Sequence, residues 1–257
     1  MGDQEGRVAI VTGAASGIGR ATSEILTQRG ASVLAVDANA EALGWTDGAA
    51  AVISKVGDVT SEADNAAMVE AALEHFGRLD VLVLNAGVAS VGTIEGQTLE
   101  SFDQVVEVNL RGSVLGLRAA IPALAESGDA AVVMTASVSG LGGDPGMWAY
   151  NAAKGGVVNL VRAAAVDLGH RDIRVNGVCP GPTRTAMTAI IENAAPEMFE
   201  AMRRRLPLQR WGEASEVAEV IAFLASPAAS FVTGVLVPVD GGVSASTGQF
   251  LPPERVA

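Results

Sequence analysis

The chain has 257 residues, 49% of them hydrophobic and 18% charged, which is ample for a substantial core and far from a disordered composition. Its net charge of −12 argues against nucleic-acid binding, which needs a basic surface, and against attraction to anionic membranes. A single cysteine, Cys179, excludes an internal disulfide framework. The two histidines, His75 and His170, stand apart and give no cluster for a protein-built metal site.

A polar lead-in runs straight into a strand-like VAIVT, without the pattern of a signal peptide. No apolar run approaches membrane-spanning length, so the cytoplasm is the expected location. Short β-branched runs predict strands over 7–12, 32–36, 52–56, 79–84, 130–136, 174–179 and 235–239. Between them, helical periodicity covers 18–29, 61–76, 99–125, 150–168 and 213–225. The strands read apolar almost throughout, as expected when both sheet faces are covered. Alternation of this kind predicts a doubly wound, three-layer α/β/α fold with a seven-stranded parallel sheet. Right-handed crossovers then gather the strand C-termini on one ligand-binding edge. Residues 1–242 read as one domain; 186–212, interrupted by Pro196 and Pro207, read as a lid; 243–257 read as a surface tail.

After the first strand comes Thr12-Gly13-Ala14-Ala15-Ser16-Gly17-Ile18-Gly19. Glycines at 13, 17 and 19 permit a tight turn, close approach of backbone to phosphate and close packing of the next helix. The helix N-terminus would face a pyrophosphate. No Gly-Lys-Ser/Thr follows, which disfavours a phosphate-hydrolysing loop. Asp37 ends the second strand. An acid about 20 residues beyond the turn can accept both adenosine-ribose hydroxyls and repel a 2′-phosphate, favouring NAD over NADP. A methyltransferase would also use these two features.

Tyr150, the only tyrosine, precedes Lys154, one of two lysines, by four positions. On a helix that spacing places both on one face. An ammonium beside a phenol favours the phenolate and is expected to lower its pKa from about 10 toward neutrality, as a general acid–base requires.

Together these features resemble the short-chain dehydrogenase/reductase family over roughly residues 5–242. The resemblance rests on Thr12–Gly19, Asp58-Val59, Asn85-Ala86-Gly87, Asn109, Ser137, Tyr150-x-x-x-Lys154, Asn176, Pro180-Gly181 and Asp240-Gly241-Gly242, in that order. A methyltransferase has no use for the later motifs. The resemblance implies a cofactor site that includes Gly13, Ser16, Gly17, Ile18, Gly19 and Asp37. It implies that Asp58 and Val59 meet the adenine and that Asn85, Ala86 and Gly87 pass the ribose. By the same resemblance Pro180, Gly181, Thr183 and Thr185 meet the nicotinamide and pyrophosphate, and Tyr150 and Lys154 touch the cofactor as well. It implies catalytic roles for Ser137, Tyr150, Lys154 and Asn109, the last holding a proton-relay water. Ser139 rivals Ser137, whose spacing fits the family better. Ser16 stands where NADPH-preferring members often carry a basic residue.

The implied activity is NAD-dependent interconversion of a secondary alcohol and a ketone. The rival readings are an NADPH-dependent 3-oxoacyl-carrier reductase and a non-catalytic dinucleotide sensor. Leu141, Met147, Trp148, Pro182 and Met187 are the expected pocket wall, suggesting a hydrophobic small-molecule alcohol or ketone. Arg203-Arg204-Arg205 is either an acid-binding run or a solvated face. The small residues of 150–168, with the family's habit, imply a homotetramer.

Overall fold

The computed structural model describes residues 2–253. Its elements in chain order are β1 (Val8–Thr12), α1 (Gly17–Gln28), β2 (Ser32–Asp37), β3 (Val52–Val56), α2 (Glu62–Phe76), β4 (Val81–Leu84), α3 (Leu99–Val106) and α4 (Gly112–Ala125). There follow β5 (Ala130–Thr135), α5 (Trp148–Leu168), β6 (Ile173–Pro180), β7 (Thr183–Arg184), α6 (Ala189–Ala194), α7 (Pro196–Arg205), β8 (Gly212–Glu213), α8 (Ala214–Ala225) and β9 (Leu236–Val239).

Seven strands form one sheet in the order β3-β2-β1-β4-β5-β6-β9, every pair parallel. This is the predicted sheet. The strand order reverses at β1 and β4, so their C-terminal ends open a crevice, the usual ligand site of such sheets. β7 and β8 add a separate two-stranded pairing beyond that edge.

Strand periodicity divides the core between the two faces. Val8 and Ile10 join a cluster with α2, α4 and α5, whereas Ala9 and Val11 join another with α1 and α8. Helix starts follow local chemistry. The Ser61 hydroxyl accepts from the Asp64 N–H at the start of α2, and Gly77 ends that helix in the left-handed region at φ 79°. α8 opens with a reciprocal capping pair, Glu213 and Glu216.

The helix predicted over 99–125 is not continuous. Residues Glu107–Arg111 form a π-turn, in which the Gly112 N–H bonds the Glu107 carbonyl five residues back. Hydrophobic periodicity runs through such a one-residue insertion almost unchanged, so the sequence pattern does not reveal it. The segment 186–212 contains α6 and α7, with Phe199 stacked on the fully buried Trp211 at 4.5 Å between centroids. In the tail, Val243–Ala245 form a single 3-10 turn. Residues 254–257 lie outside the described residues. No described helix is long and apolar enough to cross a membrane, and the described residues contain no group of acids, histidines and cysteine arranged to hold a metal.

Candidate functional site

The β1–α1 turn leaves no room for side chains. A Cβ on Gly19 would lie 2.1 Å from the Gly13 carbonyl oxygen, and one on Gly13 would lie 2.8 Å from the Ala86 Cα. Gly13 and Gly17 also adopt positive φ, 67° and 53°. At the start of α1, Ser16 makes no side-chain cap and the first turn carries no acid. Those amides are therefore free of competing side-chain acceptors, the condition under which a helix N-terminus takes an anion. Asp37, the last residue of β2, stands beside this turn. Its carboxylate accepts from the Ala15 N–H at 3.0 Å and the Asn39 N–H at 2.9 Å, so it braces the turn while lining the cleft.

The strand ends are tied across the crevice. Asn85 Nδ2 donates to the Thr12 carbonyl at 3.1 Å, and Thr135 Oγ1 donates to Asn85 Oδ1 at 3.1 Å, linking β1, β4 and β5. Asn176 ties β6 to the segment before β9 by donating to the Val232 carbonyl and accepting from the Val235 N–H.

Ser137 begins a 3-10 turn at the end of β5. Its Oγ accepts from the Ser139 N–H at 3.1 Å and hydrogen-bonds the Tyr150 phenol. The Ser139 hydroxyl donates instead to Asp144 Oδ2 at 2.6 Å, which leaves Ser137 as the serine facing the phenol. Gly140 lets this turn lie against α5, since a Cβ there would be 2.6 Å from the Lys154 carbonyl oxygen. Lys154 is buried. Its Nζ donates to the Thr135 carbonyl at 2.8 Å and sits 5.7 Å from the Tyr150 ring centroid.

The electrostatics correct the expectation drawn from spacing. The Tyr150 pKa lies above, not below, its ordinary value. Burial is the largest cause, the Ser137 hydrogen bond opposes it, and the Asp144 charge adds to it. Burial likewise lowers Lys154 to about 8. Spacing gives proximity, but desolvation acts on both groups, and the ammonium is directed at a carbonyl rather than at the phenol oxygen. Burial raises the Cys179 thiol to about 11, so it stays a neutral thiol in the core.

Asn109 sits in the π-turn. Its Nδ2 donates to the Val88 carbonyl at 2.8 Å and the Val105 carbonyl at 2.9 Å, and its Oδ1 is buried without a protein partner. A Cβ on Gly87 would meet that Oδ1 at 2.6 Å and Lys154 Nζ at 3.4 Å. Both polar groups therefore face one point beside Gly87.

A single cleft of about 240 Å³ collects most of the predicted residues. Its lining includes Gly13, Ser16, Gly17, Ile18 and Asp37 from the nucleotide side, and Asn85, Ala86 and Gly87 from the β4 end. Asn109, Ser137, Tyr150, Lys154, Pro180, Gly181, Thr183 and Thr185 complete the predicted set. Gly19, Asp58 and Val59 do not line it. Gly19 is buried in the turn. Asp58 is exposed, its Oδ1 accepting from the Thr60 N–H at 2.8 Å, and Val59 packs where α4 begins.

Of the expected apolar wall only Met187 lines the cleft. Trp148 instead stacks on Phe102 at 4.8 Å between centroids, and Pro182 faces a smaller neighbouring pocket. Leu141 and Met147 also lie outside the lining. The arginine run is on α7, where Arg203 pairs with Glu200 at 2.6 Å and donates to the Gln209 carbonyl at 3.0 Å. Sequence reasoning missed Thr135, whose carbonyl anchors Lys154, and Thr188. The Thr188 Oγ1 donates to the Thr183 carbonyl at 2.7 Å and accepts from the Thr185 N–H at 3.0 Å. Its position three residues after Thr185 is the one local signal.

The fold and this strand-edge cleft define a dinucleotide-binding oxidoreductase, and sequence comparison agrees. A family model described as enoyl-(acyl carrier protein) reductase matches residues 13–244. The chain belongs to the short-chain dehydrogenase/reductase family, whose members bind a nicotinamide dinucleotide. It is 40% identical over 256 residues to levodione reductase of Leifsonia aquatica, covering 93% of this chain and 95% of that protein. It is also 40% identical over 252 residues to meso-2,3-butanediol dehydrogenase of Serratia marcescens, covering 95% and 97%. The crystal structure of 3-ketoacyl-(acyl-carrier-protein) reductase from Brucella melitensis complexed with NADH superposes with a TM-score of 0.88. It is 36% identical and covers 94% of this chain and 99% of that one.

Proposed function

We propose that the protein is an NAD-dependent dehydrogenase that interconverts a secondary alcohol and a ketone. The convergence of Ser137 and Lys154 on Tyr150 in the cleft lined by the glycine turn is the observation that carries this reading. The residues present fit a dinucleotide: glycines clear the turn, the first amides of α1 are uncapped, and the Asp37 carboxylate lines the cleft as an acceptor for a ribose diol.

In this reading Gly13, Ser16, Gly17, Ile18 and Gly19 would hold the pyrophosphate and Asp37 the adenosine ribose. Asp58 and Val59 would lie at the adenine. Pro180, Gly181, Thr183 and Thr185 would hold the nicotinamide end, and Lys154 its ribose. The bound nicotinamide supplies the hydride acceptor or donor. Ser137 Oγ orients the substrate oxygen. Tyr150 Oη takes the alcohol proton in oxidation and returns it in reduction. The Lys154 ammonium, present below about pH 8, is the charge able to bring the Tyr150 phenol back toward neutrality. The open Asn109 Oδ1 beside Lys154 suits a water that relays the proton outward.

Asp37 and the absence of a basic residue at Ser16 support NAD over NADP; Lys154 is the one cation among the described residues lining the cleft. Met187 and Thr188 bring the segment 186–212 to the cleft edge as a lid over a hydrophobic alcohol or ketone. The small residues of α5 support a homotetramer, and the cytoplasm is the proposed location.

The test is a screen of NAD⁺ and NADP⁺ against hydroxysteroids, cyclic alcohols, vicinal diols, sugars and 3-hydroxyacyl thioesters, followed by NAD(P)H absorbance. Turnover with NAD⁺ on an uncharged alcohol is expected. Turnover confined to NADP⁺ and acyl thioesters would replace this reading with the carrier-linked reductase.

A further inference from the structure

Resting on that reading, a group outside the cleft lining bears on how Tyr150 works. Asp144 lies in the loop between the Ser137 turn and α5, exposed at the surface. Its side chain and its backbone each accept hydrogen bonds, from different partners. Asp144 Oδ2 accepts from the Ser139 hydroxyl at 2.6 Å, and the Ser139 N–H in turn donates to Ser137 Oγ at 3.1 Å. The Asp144 carbonyl accepts from Asn151 Nδ2 at 3.0 Å and from the Met147 N–H at 3.4 Å. Asn151 directly follows Tyr150. Three hydrogen bonds, joined through the covalent frames of Ser139 and Asp144, therefore link the Ser137 hydroxyl to the residue beside Tyr150.

We propose that Asp144 is a positioning residue that holds the Ser137 turn in register with the Tyr150 helix and places a negative charge beside the phenol. The hydrogen-bonding task alone does not require an acid, because an asparagine oxygen would accept the same Ser139 bond. The carboxylate adds a field that favours the protonated phenol. The opposing charge is the Lys154 ammonium on α5; from the β5 end comes the neutral Ser137 hydroxyl, and the β6 thiol Cys179 is neutral. α3 contributes only Phe102, Val105 and Val106 to the apolar cluster that Tyr150 joins. Asp144 thus biases Tyr150 toward its proton-donating form, the form that ketone reduction uses.

Two variants of the full chain separate the two roles, assayed with NADH and NAD⁺ on the substrate found in the screen. Asp144→Asn keeps the acceptor and removes the charge. Its oxidation rate is expected to retain the wild-type maximum, with the rising limb of its pH profile moved to lower pH by up to about one unit. Asp144→Ala also breaks the link and is expected to lower kcat between about tenfold and a hundredfold, leaving the KM for NAD⁺ unchanged. Asn at this position therefore restores most of the rate lost with Ala, which a surface residue without this role would not do. An Asp144→Asn pH profile that overlays the wild type overturns the proposal, and it does so even if the Ala variant fails to fold. Tyr150→Phe, run in parallel, keeps the two readings apart. If that variant is inactive while the Asp144→Asn profile is unmoved, the proposal falls and the dehydrogenase reading stands. If Tyr150→Phe turns over normally, the dehydrogenase reading itself falls.

Discussion

The two ends of the cleft are built from different material. At the glycine-turn end the backbone is the surface: Gly13 and Gly17 line the cleft, Gly19 packs against Gly13 too closely for a methyl group, and Asp37 braces the turn. At the other end side chains make the surface: Asn109, Ser137, Tyr150 and Lys154 all line it. Met187, on the segment after β7, is 50% exposed and lines the cleft there. The first end has one geometry, fixed by what will not fit. The second is defined by side chains that can be exchanged without disturbing the sheet, which is how one fold serves many substrates.

Substitution at the glycine-turn end should have the largest effect. Gly19→Val places a branched side chain against the Gly13 carbonyl and the Asn85 side chain. It should abolish NADH binding in a fluorescence titration and destabilise the fold by about 1–3 kcal/mol in urea unfolding. Normal binding by this variant would show the turn to be pliable. Asp37→Ala should leave the fold intact and lower the NAD-to-NADP preference in kcat/KM by about tenfold to a hundredfold, the worth of hydrogen bonds to a charged group. An unchanged ratio would remove Asp37 from cofactor selection.

A third effect, on stability alone, concerns Lys154, which burial lowers from 10.5 to about 8. Between those values the unfolded chain holds a proton that the folded chain does not, so this group makes stability rise with pH across that window. The gain amounts to at most about 3 kcal/mol at 1.36 kcal/mol per unit. Cys179, raised to about 11, acts with the opposite sign above its unfolded value of 9.0. The difference between wild type and Lys154→Met in the ligand-free protein isolates the lysine. The wild type should gain stability relative to the variant from pH 8 to 10.5, and parallel curves would show Lys154 to be charged in the folded state.

The same contrast explains what the sequence disclosed. Seven apolar runs separated by helical periods specify a parallel sheet, because strands covered on both faces have little chemical freedom. The glycine turn was legible because only glycine meets its sterics. Asn85 and Asn109 were readable through family resemblance, yet the π-turn holding Asn109 was not, since one inserted residue leaves the apolar pattern nearly intact. The Tyr150–Lys154 spacing correctly placed two side chains on one helix face but gave the wrong sign for the phenol. Burial and the Asp144 charge come from segments that the four-residue spacing does not report. The expected wall failed for a similar reason. Trp148 and Met147 are large and apolar, but position along the chain does not say whether such a residue faces a cleft or a neighbouring helix, and Trp148 has found Phe102.

In the proposed reading Tyr150 moves the substrate proton, and Tyr150→Phe removes the oxygen that would carry it. The variant removes one oxygen from a half-buried ring and leaves the glycine turn, Asp37 and Lys154 in place. Its kcat on the substrate found with NAD⁺ should fall by about a hundredfold to ten-thousandfold, the usual contribution of a positioned acid–base, while NADH titration gives wild-type affinity. Turnover at the wild-type rate with NADH bound normally would contradict the account and assign the proton to another group.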